Sequence, residues 1–330
     1  MDISSPSTHL PGLNWRSPLA QAALLLLAIA VAAAASSAEE SSGGELSLEE
    51  AAQKANNPLS DVWLLIVEND TSLLGGSDVP GYETSNVTLF EPVLPVPIFE
   101  QKWNLIFRPI VSIISSPVDK RAGKLFGKSS SEIAGIIGST DPQDFVYGGE
   151  RTTGLGDSVL LTLLGPNRDD GFVWGLGVTQ IFPTATDEVL GQQKWQIGPA
   201  ALAVRLGKDH GGLGIDNWNI GVLAQQWFSY AGDGDREKRN QANIQYFINW
   251  KMNATQLVGM TPNITIDYNK RLKEAVSFPI GLGTIGMFRI GRLPFRWGVE
   301  AQYFAVQRDD AGPRFNFKVF LAPIIANPFK

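Results

Sequence analysis

Residues 295–307 read FRWGVEAQYFAVQ, and their side chains alternate between two faces of an extended chain. One face is aromatic or aliphatic and consists of Phe295, Trp297, Val299, Ala301, Tyr303 and Ala305. The other face is polar or small and includes Arg296, Gly298, Glu300 and Gln302. This period of two residues, clearest from 295 to 303, predicts a β-strand with one apolar face and one polar face.

The same alternation recurs along most of the chain. It is plain in residues 103–113, 218–230, 244–251 and 315–321, and residues 172–182, 264–268 and 276–290 follow it with more glycine. Turn residues separate about twelve such segments: 62–69, 85–95, 101–114, 155–164, 171–183, 194–206, 217–230, 241–252, 257–268, 276–290, 294–307 and 313–328. An even number of roughly ten-residue alternating strands is typical of outer-membrane barrels. The predicted fold class is therefore all-β, an antiparallel transmembrane β-barrel of about twelve strands of the outer-membrane type.

Alternation alone also fits a secreted soluble β-sandwich, whose apolar faces pack together. The position of the aromatic residues favours the barrel, because Trp103, Trp195, Trp218, Trp250 and Tyr268 fall at strand ends. Membrane barrels place aromatic girdles at the two interfaces of the bilayer, where those strand ends would lie.

The links between predicted strands also differ in length on the two sides of the barrel. The side expected to face outward has the links 70–84, 115–154, 184–193, 231–240 and 308–312, whereas 96–100, 165–170, 253–256 and 291–293 are short turns on the other side. Link 207–216 is longer than this rule predicts. Phe329 is the penultimate residue, close to the terminal aromatic that is typical of clients of the barrel assembly machinery.

Composition excludes several classes of function. The chain has 330 residues and a formal net charge of −6, without a basic tract of the kind that binds nucleic acid. It has no Cys and 2 His, so thiolate chemistry is absent and histidine-based metal sites have few ligands available. No cofactor and no metal are implied. The mean hydropathy of −0.02 argues against several membrane-spanning helices but is compatible with alternating strands.

The N-terminus has the organisation of a secretory signal. Residues 19–35 form an uncharged apolar run after Arg16, and Ser36 and Ala38 supply small residues before a cleavage site at Glu39. The alternative is a retained membrane anchor. We expect three parts: a signal peptide 1–38, a periplasmic segment 39–60 with a short helix near 47–57, and the barrel at 61–330. Location in the outer membrane of a Gram-negative-type bacterium follows.

Several stretches resemble a known family. They are NNPLSDVWLLIVENDTS (56–72), VLPVPIFEQKWNLIFRPIVSII (93–114), GLGDS (154–158), FVWGLGVTQIFPTATDEVLGQQKW (172–195), IGPAALAV (197–204), QQWFSYAGDGDREKRNQANIQYFINW (225–250), FPIGLGTIGMFRIG (278–291) and AQYFAVQRDDAG (301–312). Together they resemble the outer-membrane family named after the meta-pathway of phenol degradation, often labelled transporter and, misleadingly, neuromedin U. The resemblance implies a barrel that transports small molecules, hydrophobic ones among them. Link 115–153 is longer here than in the family pattern.

Charged residues inside strands are the candidate functional residues. A lipid-facing Arg or Lys at the bilayer midplane costs about 2–4 kcal/mol, so these side chains should face the lumen or lie near an interface. The candidates for lining the lumen and setting selectivity are Arg108, Arg205, Asp267, Arg289, Arg296, Glu300 and Lys318. They could form the wall of a polar pore or an ion-pair network that fills a narrow barrel.

The long link 115–153 is the second candidate feature. It carries a basic cluster, Lys120, Arg121, Lys124 and Lys128, together with the apolar run IAGII at 133–137, which could form a short helix. One hypothesis is that this link folds over or into the lumen and constricts the pore. The alternative is a mobile surface loop.

The leading functional hypothesis is a passive outer-membrane channel for small molecules, without enzymatic activity, whose partners are outer-membrane lipid, the barrel assembly machinery and an unknown small solute. A structural or binding barrel with a closed lumen is the main alternative. A soluble β-sandwich and an outer-membrane hydrolase using a serine and His210 are further ones. The motifs GLGDS around Ser158 and DGDRE at 233–237 lack the context of a nucleophile elbow or a calcium loop.

Overall fold

The chain forms one closed antiparallel β-barrel. The computed structural model describes residues 47–168 and 171–329. Consecutive strands pair around the sheet, and β2 pairs with β16 to close it, so that no open edge remains between the first and last strands. The predicted signal peptide 1–38 lies outside the described residues.

Twelve strands build the wall, four of them broken into two segments, which gives sixteen segments in all. They are Val62–Leu64 (β1) with Val67–Gly75 (β2), Glu83–Phe90 (β3) with Leu94–Ile98 (β4), Trp103–Ser116 (β5), Thr152–Leu155 (β6) with Ser158–Pro166 (β7), Gly171–Phe182 (β8), Lys194–Leu206 (β9), Trp218–Gly232 (β10), Asn240–Lys251 (β11), Leu257–Met260 (β12) with Asn263–Asp267 (β13), Val276–Ile290 (β14), Leu293–Val306 (β15) and Gly312–Ala326 (β16). The predicted fold class is confirmed, and each predicted strand overlaps an observed one.

The two faces of the wall differ as the sequence predicts. On β8, Phe172, Leu176 and Val178 project outward and are 57%, 58% and 47% exposed, whereas Val173 and Thr179 are fully buried inside. A soluble protein does not expose a continuous apolar band of this extent. The outer face therefore has the chemistry of a surface surrounded by lipid.

Aromatic side chains lie at both ends of the wall. Trp103 and Trp174 meet edge to face at 6.0 Å near one end, and Phe182 and Trp195 meet at 5.6 Å near the other. Such positions suit rings that are apolar in body and polar at one atom, as at a membrane interface.

One region of the outer face is polar. Asn69 and Thr71 on β2 pair in register with Val319 and Phe317 on β16, which places them at mid-height of the wall. Their amide and hydroxyl groups bond to one another and to the next strand: the Nδ2 of Asn69 donates to the Oδ1 of Asn86 at 3.0 Å and to the Oγ1 of Thr88 at 2.9 Å. The Nδ2 of Asn86 donates back to the Oδ1 of Asn69 and to the Oγ1 of Thr71. These mutual bonds satisfy polar groups that lipid could not.

The links define two ends of the barrel. At the long-link end the strands are joined by 76–82, 117–151, 183–193, 233–239, 268–275 and 307–311; at the short-link end they are joined by 99–102, 252–256 and 291–292, with 207–217 as the longest. Helix Leu48–Asn56 (α1) lies at the short-link end, helices Ser130–Ile137 (α2) and Pro142–Tyr147 (α3) lie within the longest link, and Leu272–Ala275 (α4) is a single turn. Within residues 47–168 and 171–329, the helices are too short or too polar to cross a bilayer.

Candidate functional site

The barrel interior contains a cavity of about 180 Å³. Residues from strands on all sides of the barrel line this cavity. Its middle wall is apolar and consists of Ile106, Leu161, Leu163, Leu202, Val204, Leu223, Phe247, Leu257 and Ile285. Its floor at the short-link end is formed by Ala55, Asn56 and Pro58. Its lining also has polar and charged side chains, which include Glu68, Glu91, Arg108, Asn219, Gln245, Asn249 and Arg296. A cavity with an apolar wall and a few polar groups can hold a small molecule that has an apolar body.

Helix α1 forms that floor and fills part of the short-link end, where a cavity of about 610 Å³ lies between the helix and the strands β9 to β11. A capping box starts the helix: the Oγ of Ser47 accepts from the N–H of Glu50 at 3.1 Å, and the Glu50 carboxylate accepts from the N–H of Ser47 at 2.8 Å. One face presents Ala51, Ala52 and Ala55, which are buried. Small side chains on this face let the helix backbone approach the barrel wall closely.

The segment that follows α1 is tied to the wall by polar contacts. Lys54 and Asp61 form an ion pair at 2.6 Å, and the Nδ2 of Asn104 donates to the carbonyl of Leu59 at 2.8 Å. Leu59 itself is fully buried against the apolar interior. The helix is therefore a packed part of the barrel and not an appendage outside it.

Arg296 meets the last turn of α1 from the opposite side. Its guanidinium donates to the carbonyl oxygen of Ala55 and lies 6.0 Å from the ring centre of Phe320. A cation at a helix C-terminus is favourable, because the unpaired carbonyl groups there carry partial negative charge. The Nε of Arg296 is buried and has no hydrogen-bond partner.

Above this level an ion cluster crosses the interior. Lys318 pairs with Glu68 at 3.1 Å and is the register partner of both Asp70 and Glu300. Arg108 pairs with Glu91 at 2.7 Å, in the break between β3 and β4. Charges removed from water need such partners, since the cost of burying an unpaired ion is several kcal/mol.

Glycine on β14 makes room for the cluster. A Cβ at Gly281 would come within 2.1 Å of the Oε1 of Glu300, and one at Gly283 within 2.3 Å of the carbonyl of Val299. The carboxylate of Glu300 is held by the backbone and side chain of Thr261 at 3.0 and 2.9 Å. Gly281 and Gly283 thus face the lumen, whereas Gly286 lies on the outer face beside Trp297.

A second polar layer lies nearer the long-link end. The Nε1 of the buried Trp227 donates to the Oγ1 of Thr179 at 3.0 Å, and that hydroxyl donates to Gln225 at 2.9 Å. The side-chain amides of Gln196 and Gln241 bond at 3.0 Å. The sequence analysis did not predict these neutral groups, because it selected site residues by their charge and amides and indoles are uncharged.

Most of the predicted lumen residues share the interior, with one exception. Arg108, Arg296, Glu300 and Lys318 line the cavity or its continuation. Arg205 instead lies on the outer face, in register with Phe172 and Ile220, and pairs with Asp216 at 2.6 Å at the short-link end. The expectation that Arg205 faces the lumen is wrong; its strand ends one residue later, so the guanidinium reaches the polar link.

Asp267 and Arg289 share the inner register but lie at opposite ends of the barrel. Asp267 is in register with Gln241 at the long-link end, and its carboxylate is 3.6 Å from Arg239. Arg289 is in register with Pro294 at the short-link end. Glu68, Asp70 and Glu91, which the sequence analysis did not select, complete the cluster of interior charges.

The longest link covers part of the long-link end through contacts with other links. Phe126 packs under Arg236 at 3.7 Å, and the Nε2 of Gln143 donates to the carbonyl of Ser77 at 2.7 Å. Of the basic cluster, Lys120, Lys124 and Lys128 are exposed. Arg121 bonds Asp119 at 2.9 Å. Helix α2 contains the predicted IAGII segment, so that expectation is confirmed; constriction of the pore stays a prediction.

The residues of the hydrolase alternative are far apart. Ser158 begins β7 and bonds to Thr184 at 2.8 Å, whereas His210 lies in the link after β9 at the short-link end. The strand β7 separates these levels by on the order of 20 Å. Among the described residues, no group of three or more metal-ligating side chains converges. The structure does not bring Ser158 and His210 together.

Comparison with solved structures shows a likeness to an outer-membrane channel. The COG4313 outer membrane channel from Pseudomonas putida F1 aligns over 81% of this chain and 95% of its own, at 13% identity and a TM-score of 0.50. The fold is that of an outer-membrane barrel. A Pseudomonas aeruginosa FadL homologue aligns over 86% of this chain and 96% of its own at 10% identity, with a TM-score of 0.33 that is too low to support an argument.

No family model matches the chain, and no curated protein matches it. The resemblance to the meta-pathway family therefore stays a prediction.

Proposed function

We propose that the chain is an outer-membrane channel that passes small molecules by diffusion, hydrophobic ones among them. The observation that carries the proposal is the cavity of about 180 Å³ in the middle of the barrel, whose lining combines aliphatic side chains with polar and charged ones. A barrel that served only as a rigid wall could fill this level with larger side chains. The outer face, with its apolar band and aromatic ends, suits surrounding membrane lipid.

The polarity of the two ends suggests an orientation. Outer-membrane barrels have long extracellular loops and short periplasmic turns, so the long-link end would face outward. Helix α1 would then narrow the periplasmic end, and the link 117–151 would partly cover the extracellular end. In this arrangement a solute crosses the polar layer and the ion cluster, enters the apolar cavity and leaves when α1 moves aside.

A closed-lumen barrel is the second candidate, and one observation favours it. Helix α1 is bound to the wall by buried alanines and by Arg296, so it narrows this end of the barrel in the conformation described. In this alternative the ion cluster and α1 are permanent fillings, and the cavity is a binding pocket or a packing defect.

Swelling of reconstituted vesicles in arabinose separates the two functions. The channel predicts that vesicles containing the full chain swell faster than protein-free vesicles, and that Ala51→Glu, which places a charge on the buried face of α1, increases the rate. If neither protein swells the vesicles, the closed-lumen function is correct and the channel is wrong.

A further inference from the structure

Arg296 is a buried cation without a carboxylate partner among residues 47–168 and 171–329. Its contacts are the carbonyl of Ala55 and the ring of Phe320. Its Nε is buried without an acceptor. A guanidinium out of water is costly unless an anion or a full set of acceptors offsets the lost hydration.

Each of the other charged groups on the same cavity has a partner of opposite charge. Glu68 pairs with Lys318 at 3.1 Å, and Glu91 pairs with Arg108 at 2.7 Å. All three residues Glu68, Glu91 and Arg108 line the cavity with Arg296. Among the described residues Arg296 has no such partner, since the further carboxylates of the ion cluster, Asp70 and Glu300, lie beside Lys318. The Nε of Arg108 is a second buried donor without a partner on this cavity.

The rest of the cavity offers an apolar surface. Beside Arg296 lies the ring of Phe320, and the wall opposite the floor is aliphatic, with Leu161, Leu202 and Ile285 among its residues. The volume of about 180 Å³ is somewhat larger than the roughly 150 Å³ in which an engineered apolar cavity holds benzene. One aromatic ring or a short alkyl chain therefore fits, and a negatively charged head group attached to it would lie beside Arg296.

We propose that this cavity binds small amphiphilic monocarboxylates, with the carboxylate on Arg296 and the apolar body against the aliphatic wall. Guanidinium groups bind carboxylates with directed, charge-assisted hydrogen bonds, and a partly dehydrated arginine with an unused N–H is suited to that role. The inference deepens the proposed channel function, because it names the class of solute that would pause in the cavity during passage.

Calorimetric titration of the full chain in detergent micelles tests the proposal with benzoate and with benzamide, its neutral isostere, at pH 7.5, against protein-free micelles. A charge-assisted contact predicts that benzoate binds about 10-fold or more tightly than benzamide. Equal affinity for the two probes in the wild-type protein would overturn the proposal without any substitution being needed.

Three variants assign the preference to Arg296. Arg296→Met should remove the preference for benzoate, and Arg296→Lys should retain part of it because the charge remains. Arg205→Met is the matched control, since Arg205 lies on the outer face, and it should leave the preference unchanged. A preference that survives in Arg296→Met, or that disappears in Arg205→Met, would contradict the assignment.

The binding result and the channel result can fail separately. Benzoate binding without any vesicle swelling would refute the channel and keep the carboxylate site. Swelling together with equal affinity for benzoate and benzamide would keep the channel and refute the site.

Discussion

At the residue scale, the interior contains a few buried charged side chains that must form ion pairs with each other. Lys318 lies in register between Asp70 and Glu300 and pairs with Glu68, so one ammonium group serves three carboxylates. Its side chain is 4% exposed, so little water can reach this site to take over the contacts of the ammonium group with the carboxylates. The ion cluster is therefore the part of the interior in which a single substitution should have the largest effect.

Lys318→Met should destabilise the barrel by about 3–5 kcal/mol, because it leaves buried carboxylates without their cation. The measurement is urea unfolding of the refolded protein in lipid vesicles. Adding Glu68→Gln to the variant should recover part of the loss. Lys124→Met, in the exposed link, is the control and should change little; equal effects of the two lysine variants would contradict the role given to the cluster.

At the element scale, the longest link is an ordered structure on top of the barrel. It contacts neighbouring links through Phe126, which lies before its helices, and through Gln143 of α3, so it covers part of the long-link end. If this link constricts the pore, its removal should change the conductance of the channel.

Deletion of residues 118–148 should raise single-channel conductance, because it removes the cover from the long-link end. Replacing the same residues with an equally long Gly/Ser segment is the control, since it keeps the length of the link but not its packing, and we expect an intermediate value. An unchanged conductance after the deletion would show that the link does not restrict the pore.

The same link should loosen in acid because of Asp119. Burial alone would raise the pKa of this carboxyl, but hydrogen bonds from the backbone N–H of Arg121 at 2.7 Å and from its Nε at 2.9 Å outweigh burial and hold the pKa below its ordinary value. A lowered folded-state pKa stabilises the link above the unfolded pKa of about 3.9, and this stabilisation is lost as pH falls through the folded value.

Hydrogen exchange of the link, corrected for intrinsic rates, measures this effect. Protection should be constant at neutral pH and fall below about pH 4. Asp119→Asn should show weaker protection at neutral pH and a smaller change in acid. A pH response that is identical in the variant would exclude Asp119 as its source.

Strand and helix positions were largely predictable from the sequence, and the exceptions have physical causes. The predicted first strand ends at residue 69, whereas β2 continues to Gly75. The reason is that Asn69 and Thr71 are polar on the lipid side, and their partners Asn86 and Thr88 come from a different strand. Hydrogen bonds between side chains on two paired strands cannot be predicted from the sequence of one strand alone.

The site was less predictable than the fold. Alternation placed Arg108, Arg296, Glu300 and Lys318 on the inner face, and they line the interior; their role in selectivity stays a prediction. It misplaced Arg205. This residue lies near a strand end, where a long side chain on the outer face can still reach the polar link beyond the strand. The position of α1 against Arg296 depends on contacts 241 residues apart, which no local pattern contains.

At the scale of the whole molecule, the apolar band decides which environment the barrel requires. Leu282 lies at mid-height of β14, in register with Ala301, and is 69% exposed on the outer face. Leu282→Arg should cost about 2–4 kcal/mol of stability in lipid vesicles. The matched control is Leu213→Arg, in the link at the short-link end, where Leu213 is 85% exposed and a charge should be tolerated. Equal tolerance of both substitutions would contradict a lipid-facing wall at Leu282.

The central claim is that the barrel encloses a path for small molecules and that α1 narrows its short-link end. Single-channel recording in planar bilayers tests it most directly, with wild type, Ala51→Glu and the control Glu49→Gln, which changes an exposed residue of the same helix. We predict brief or small openings in wild type and Glu49→Gln, and longer or larger openings in Ala51→Glu, because a charge on the buried face displaces the helix. Absence of conductance in all three proteins would contradict the account.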